Sequence, residues 1–274
     1  MRLFVASVVC VLLALNLPDI DSKLDKFTEC KEFFFKEKPP VIPNSNNYKT
    51  ICQTFKNQIR FATLYDTARR SPLFSAYKYT GYTKINEPQS LWMAEKQLEP
   101  LSDVEMREPF VNQARNVDYM RNNPNNYIIG ALFPTSHTAD KETQRSTLTL
   151  TNSVPLNNMF KESIWNLVET EINNNMDNKC RDNNQKTLAY VLTGVIPGNQ
   201  QLNERVNVPS HVWTAFCCYD SLAKVWVSKT YFTSNQRHES VNKIKLKDLL
   251  ELKTFLNERL AGEVELFDDN CNKK

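Results

Sequence analysis

Residues 211–220 read "HVWTAFCCYD", a run of strand-forming residues with two adjacent cysteines inside it. Successive side chains of a β-strand leave opposite faces of the sheet. Cys217 and Cys218 therefore predict two different partners, one on each face. The alternative is one bridge beside one buried thiol. Either way the strand belongs to a sheet whose two sides are both chemically committed.

The partners must come from the rest of the chain. Cys10 falls in "MRLFVASVVCVLLALNLPDIDS", where Arg2 precedes an apolar run over residues 3–15. That run is shorter than the roughly 20 residues that span a bilayer. Residues 1–22 read as a secretory signal peptide with a small residue, Ser22, at the cut. The expected location is therefore extracellular, with no membrane association. The C-terminus, "ELFDDNCNKK", is polar and lacks the apolar tail of a lipid-anchor signal. Cys30, Cys52, Cys180, Cys217, Cys218 and Cys271 remain, an even set suited to disulfides in an oxidising compartment. No CxxC spacing occurs and the three histidines are scattered, so a zinc site is disfavoured.

Along the chain, residues 23–58 carry two cysteines and "KPPVIP", which predicts an extended, disulfide-tied N-terminal arm. Residues 60–82 read as a hairpin around the polar turn "DTARRS". "YIIGALFP" and "STLTLTNSVP" (146–155) read as a second strand pair. Phe160, Ile164, Trp165, Val168 and Ile172 recur at steps of three and four, giving one apolar helical face. "TLAYVLTGVIPG", "HVWTAFCCYD" and "AKVWVSKTYF" supply three more strands. "IKLKDLLELKTFLNERL" is an amphipathic helix, and residues 263–274 read as a polar tail. The expected architecture is one α+β domain over 59–262 with an antiparallel core sheet.

Several function classes fall away. Five glycines cannot form a phosphate-cradling loop followed by lysine. No G-x-S-x-G elbow is present. A net charge of +3 is too small for a polybasic nucleic-acid binder, so any phosphate site must be local.

Seven stretches carry a resemblance. They are "RFATLYDTARRSPLFSAYKYTGY", "WMAEKQLE", "VNQARNVDY", "LFPTSHTADKETQRSTLTLTNSVP", "MFKESIWNLVE", "VLTGVIPG" and "VNVPSHVWTAFCCYD". In order and spacing they resemble a secreted branch of the DNA/RNA non-specific endonucleases. The resemblance implies a ββα-metal nuclease core. There a histidine base, well matched in pKa to neutral pH, activates water. A magnesium ion stabilises charge on the phosphate.

Position by position, the departures matter more than the matches. The family's Arg-Gly-His-Leu segment falls on Ile129, Gly130, Ala131 and Leu132, followed by Pro134. Its metal-binding asparagine, four residues before a tryptophan, falls on Lys161 ahead of Trp165. Its supporting glutamate is kept as Glu169. Alanine accepts no proton, isoleucine offers no charge, and a protonated lysine repels a cation. Loss of a general base alone costs roughly 10²–10⁴-fold in rate. The resemblance therefore implies a pseudo-nuclease without a bound cofactor, at most holding nucleic acid or another polyanion.

Alternatives attach to specific residues. His137 could replace the base, or serve as a hydrogen-bonding residue. Asn157 and Asn158 could offer a metal oxygen, or cap the helix. Lys161 could grip a phosphate, or pair with Glu162 or Glu169. Arg69 and Arg70 could contact phosphate from the hairpin turn. A weak Mg/Mn-dependent nuclease using displaced ligands and an extracellular protein-interaction module are the competing functions.

Overall fold

A computed structural model of the chain describes residues 23–24, 27–85, 92–99, 110–120, 126–236 and 244–272. The expected signal peptide lies outside them. The strands are β1 (Lys23–Leu24), β2 (Tyr48–Phe55), β3 (Gln58–Asp66), β4 (Ser71–Tyr79), β5 (Tyr127–Ala131), β6 (Ser153–Asn157), β7 (Ala189–Ile196), β8 (Gln200–Leu202), β9 (Val206–Val208), β10 (His211–Asp220) and β11 (Val225–Ser234). Seven of them form one antiparallel sheet in the order β1-β2-β3-β4-β7-β10-β11. Two two-stranded ribbons, β5-β6 and β8-β9, stand beside it.

The adjacent cysteines do what alternation requires. Cys218 bonds Cys180 and lies in the core beneath Trp165, Val168 and Ile172. Cys217 bonds Cys271 in the opposite core, with Phe74, Trp213 and Leu256. Cys30 bonds Cys52 in that second core. The sheet is thus buried on both faces, which is why β7 reads as a near-continuous apolar run. The bridges close separations of 22, 38 and 54 residues. On a chain-entropy account each contributes about 3–4 kcal/mol.

The helices are α1 (Asn116–Met120), α2 (Lys141–Ser146), α3 (Asn158–Phe160), α4 (Asn166–Lys179) and α5 (Leu249–Leu260). A π turn, Lys161–Trp165, joins α3 to α4, so 158–179 is one long helix. Its inner face carries the apolar residues that the spacing predicts: Phe160, Ile164, Trp165, Val168 and Ile172 are all buried.

Four expectations need correction. The N-terminal arm is not extended throughout, because Thr28–Phe33 and Phe35–Glu37 form 3-10 turns, and its extended part, Tyr48–Phe55, is a strand of the main sheet paired with β3. The strand expected over 146–155 begins only at Ser153. Its alternating "TLTLT" mimics a strand, but Asp140 caps α2 and buried Asn152 folds 150–152 into a turn. The C-terminal helix begins at Leu249, where Asp248 and Glu251 form a capping box. The polar tail is polar in composition only. Val264, Leu266 and Phe267 are buried, and Glu265 exchanges main-chain hydrogen bonds with Val41.

Candidate functional site

Strand β5 holds the first group of positions. It pairs with β6 so that Ile129 faces Pro155, Gly130 faces Val154 and Ala131 faces Ser153. A side chain at Gly130 would place its Cβ 2.4 Å from Leu156 Cδ1, so any other residue here requires Leu156 to move. Ile129 packs with Tyr127, Tyr119 and Trp92 onto a small apolar cluster that includes Phe110 and Val206. It fills space among aromatic rings. Beside Ala131, the Tyr119 hydroxyl lies 3.2 Å from Ser153 Oγ.

The exit of β5 is held by a residue that sequence reasoning missed. Asn152 is wholly buried and makes four side-chain hydrogen bonds. Its Oδ1 accepts from Ser75 Oγ (2.8 Å) and Phe133 N–H (2.9 Å). Its Nδ2 donates to the carbonyls of Phe133 and Thr147. Nothing in the surrounding residues, "LTNSVP", signals the network.

Beyond Pro134 a single 3-10 turn, Thr135–His137, brings His137 into the core. Its Nδ1 shares a 2.8 Å hydrogen bond with the Tyr77 hydroxyl. Tyr77 stacks on Phe133, and Tyr79 meets the imidazole edge-on. Burial drives the His137 pKa down to about 3; the nearby Glu169 backbone raises it slightly and the Lys161 charge lowers it. At neutral pH the ring is therefore uncharged and sealed from solvent. This geometry makes it a hydrogen-bonding residue of the interior, not a base facing a substrate.

The helix holds the second group. Asn157 accepts from Phe160 N–H at 3.1 Å and is the N-cap, so its amide oxygen is already engaged. Asn158 donates its main-chain N–H to the Asn126 carbonyl. Lys161 begins the π turn, where Asn166 N–H reaches back five residues to the Lys161 carbonyl. That turn has a geometric consequence. In a continuous α-helix, position 169 would lie roughly 80° out of line with position 161. A π turn winds less per residue and removes most of that offset. Lys161 Nζ thereby reaches Glu169 Oε1 at 2.6 Å. The two side chains are only 20% and 11% exposed. Ser136 Oγ lies 3.4 Å from the other carboxylate oxygen, and Asn173 ties Ser136 down through its carbonyl. Glu162, the other candidate partner, is exposed.

The hairpin arginines serve the scaffold. Arg69 pairs with buried Asp66 at 2.7 Å, and Arg70 donates to the carbonyls of Val111 and Arg205. A metal fits this arrangement poorly. The position facing Glu169 carries an ammonium, which donates and cannot ligate. Among the described residues, no cluster of three or more His, Cys, Asp or Glu side chains could hold a metal ion. The residues present do not suit magnesium.

Comparison with known proteins places this geometry in context. The sequence model of the DNA/RNA non-specific endonuclease family matches residues 42–272. The mouse endonuclease domain-containing 1 protein is 30% identical over 262 residues, covering 90% of this chain and 48% of that protein. Its human counterpart is 28% identical over 259 residues with the same coverage. The chain thus spans about half the length of these curated relatives. Among solved structures, a chain of the EndoG/EndoGI complex superposes with a TM-score of 0.57 at 16% identity, covering 83% of this chain and 88% of that one. That likeness establishes a ββα-metal nuclease fold, and the family model with the two relatives carries the rest: this chain belongs to the DNA/RNA non-specific endonuclease family.

Proposed function

We propose that this chain is a secreted pseudo-nuclease, a member of its family that no longer hydrolyses phosphodiesters. The observation that carries the reading is the Lys161–Glu169 ion pair at 2.6 Å. It sets a fixed positive charge against the carboxylate that the family resemblance assigns to the metal's water shell. Ala131 and Ile129 stand where that resemblance puts the base and a phosphate-binding arginine. A neutral, buried His137 supports the same reading, because it offers no replacement base. The pairing also argues against Lys161 as a phosphate grip, since Glu169 already neutralises its charge. Three disulfides fit a secreted protein.

Incubation with plasmid DNA and RNA in magnesium, in manganese and in EDTA tests the reading. No cleavage above background is expected in any of them. Cleavage that EDTA abolishes would overturn it in favour of a weak metal-dependent nuclease. The combined substitution Ile129→Arg, Ala131→His and Lys161→Asn tests the positional assignment. Metal-dependent cleavage is expected from the triple variant, and a folded triple variant that stays inert would count against the assignment.

A further inference from the structure

The hairpin turn between β10 and β11 differs from the other described hairpin turns. Those at 56–57, 67–70 and 203–205 carry no large apolar residue. The turn at 221–224 carries Leu222, which is 84% exposed, more than any other large apolar side chain among the described residues. Ala223 beside it is exposed as well. A single exposed leucine is ordinary on a protein surface, so exposure alone assigns nothing. What surrounds Leu222 does.

The turn is held by its own hydrogen bonds. Asp220 Oδ1 accepts from the N–H groups of Leu222 and Ala223, both at 3.0 Å. Lys224 N–H closes the turn on the Asp220 carbonyl at 2.7 Å. A second segment flanks it. Cys180 forms a β-bridge to Asp220 and a disulfide to Cys218, and Arg181 N–H donates to the Tyr219 carbonyl. The end of α4 and the loop after it therefore lie against the base of the hairpin. The charges at this end point in different directions. Lys179, Lys186 and Lys224 are exposed, and no ion pair engages them among the described residues. Asp182 and Asp220 turn their carboxylates onto main-chain N–H groups, Asp182 onto those of Asn184 and Lys186 at 2.8 Å. Arg181 directs its guanidinium to the carbonyls of Asp177 and Cys180. Asp177 is the one exposed acidic residue across 177–187 and 219–226.

We propose that this end of the sheet docks on an anionic lipid surface. Leu222 enters the headgroup region, and Lys179, Lys186 and Lys224 meet the negative charge of the lipids. A convex apolar apex flanked by unpaired cations suits a fluid surface that closes around it, whereas a folded partner would need a matching pocket. The contact is peripheral: among the described residues no helix is long and apolar enough to cross a membrane. The sequence expectation of no membrane association rests on spanning runs and lipid anchors, and a surface contact needs neither. One leucine and three lysines give weak, reversible binding, below the roughly 10⁴ M⁻¹ of a single myristoyl chain. The site is separate from the pair at Lys161 and does not depend on the proposed loss of cleavage.

Co-sedimentation of the full chain with vesicles of phosphatidylcholine, with and without phosphatidylserine, tests the proposal. Retention is expected only on the vesicles that contain phosphatidylserine, and it should fall as salt rises. Leu222→Ser should weaken it roughly tenfold or more, the equivalent of burying a leucine. Lys179→Gln, Lys186→Gln and Lys224→Gln together should reduce it to background, at about fivefold for each lysine. All four side chains are exposed, so these variants should keep the wild-type unfolding temperature. Absence of retention on either vesicle overturns the proposal, and so does equal retention on both. Retention that survives both sets of changes would place the contact elsewhere and overturn it too. Displacement by soluble glycerophosphoserine would mean a headgroup pocket in place of a docking surface, with the same consequence.

Discussion

Strand β5 and the helix over 158–179 hold the two groups of positions that the family resemblance assigns to chemistry, and they have been filled in opposite ways. On β5 the side chains at these positions are apolar: Ile129 packs against the same apolar cluster as Tyr119, Tyr127 and Trp92, and Ala131 leaves its neighbourhood to Tyr119 and Ser153. On the helix Lys161 brings a charge, and the Glu169 carboxylate answers it at 2.6 Å. The first substitution is absorbed by packing, whose cost and gain are spread over many weak contacts. The second is absorbed by one partner, so its stability rests on a single pair.

The sharpest test of the β5 side is the residue that anchors it. Asn152→Ala removes four hydrogen bonds at once and leaves several buried groups unpaired. A loss of about 3–5 kcal/mol is expected in urea unfolding. A loss under about 1 kcal/mol would mean that β5 is held by packing alone. Next, Ile129→Arg inserts a charge into the apolar cluster and should cost about 2–3 kcal/mol as a single change. A neutral result would show that the side chain can reach solvent, weakening the contrast between the two regions.

On the helix, Lys161→Met should destabilise by about 1–3 kcal/mol, because it leaves a mostly buried carboxylate without its cation. Lys161→Met combined with Glu169→Leu should recover part of that loss. A double-mutant cycle with coupling near zero would remove the ion pair from the account. A last test reads stability against pH. The folded-state pKa of His137, about 3, lies below the ordinary value of 6.5. Between those values the unfolded chain binds the extra proton. This contribution is complete above pH 6.5 and drains as pH falls toward 3, by at most about 1.4 kcal/mol per pH unit. His137→Gln should flatten that slope, and an unchanged slope would mean that other groups set it.

Much of the fold was legible because its signals are local. The hairpin over 60–82, the three strands around "HVWTAFCCYD" and the apolar stripe of the long helix all follow from side-chain period. The opposite-face bonding of Cys217 and Cys218 followed from alternation alone, although their partners did not. Three features resisted. The alternation in "TLTLT" carries strand periodicity, yet side-chain hydrogen bonds take residues 150–152 into a turn. The π turn at Lys161 has no compositional mark, so the pairing with Glu169, eight residues on, looked no better than that with Glu162. His137 reads as a titratable residue until the rings of Tyr77 and Tyr79 enclose it.

Sequence by itself therefore determined the family and the two-faced sheet, because residue type and short-range spacing carry those facts. Tertiary structure decided what surrounds Ile129, Lys161 and His137. Whether Lys161 is a phosphate grip or half of an ion pair depends on helical winding over two turns. Whether His137 is a base or a buried hydrogen-bonding residue depends on rings brought from a strand about sixty residues away in the chain. Charge state and reach are properties of surroundings, and surroundings exist only once the chain has closed around them.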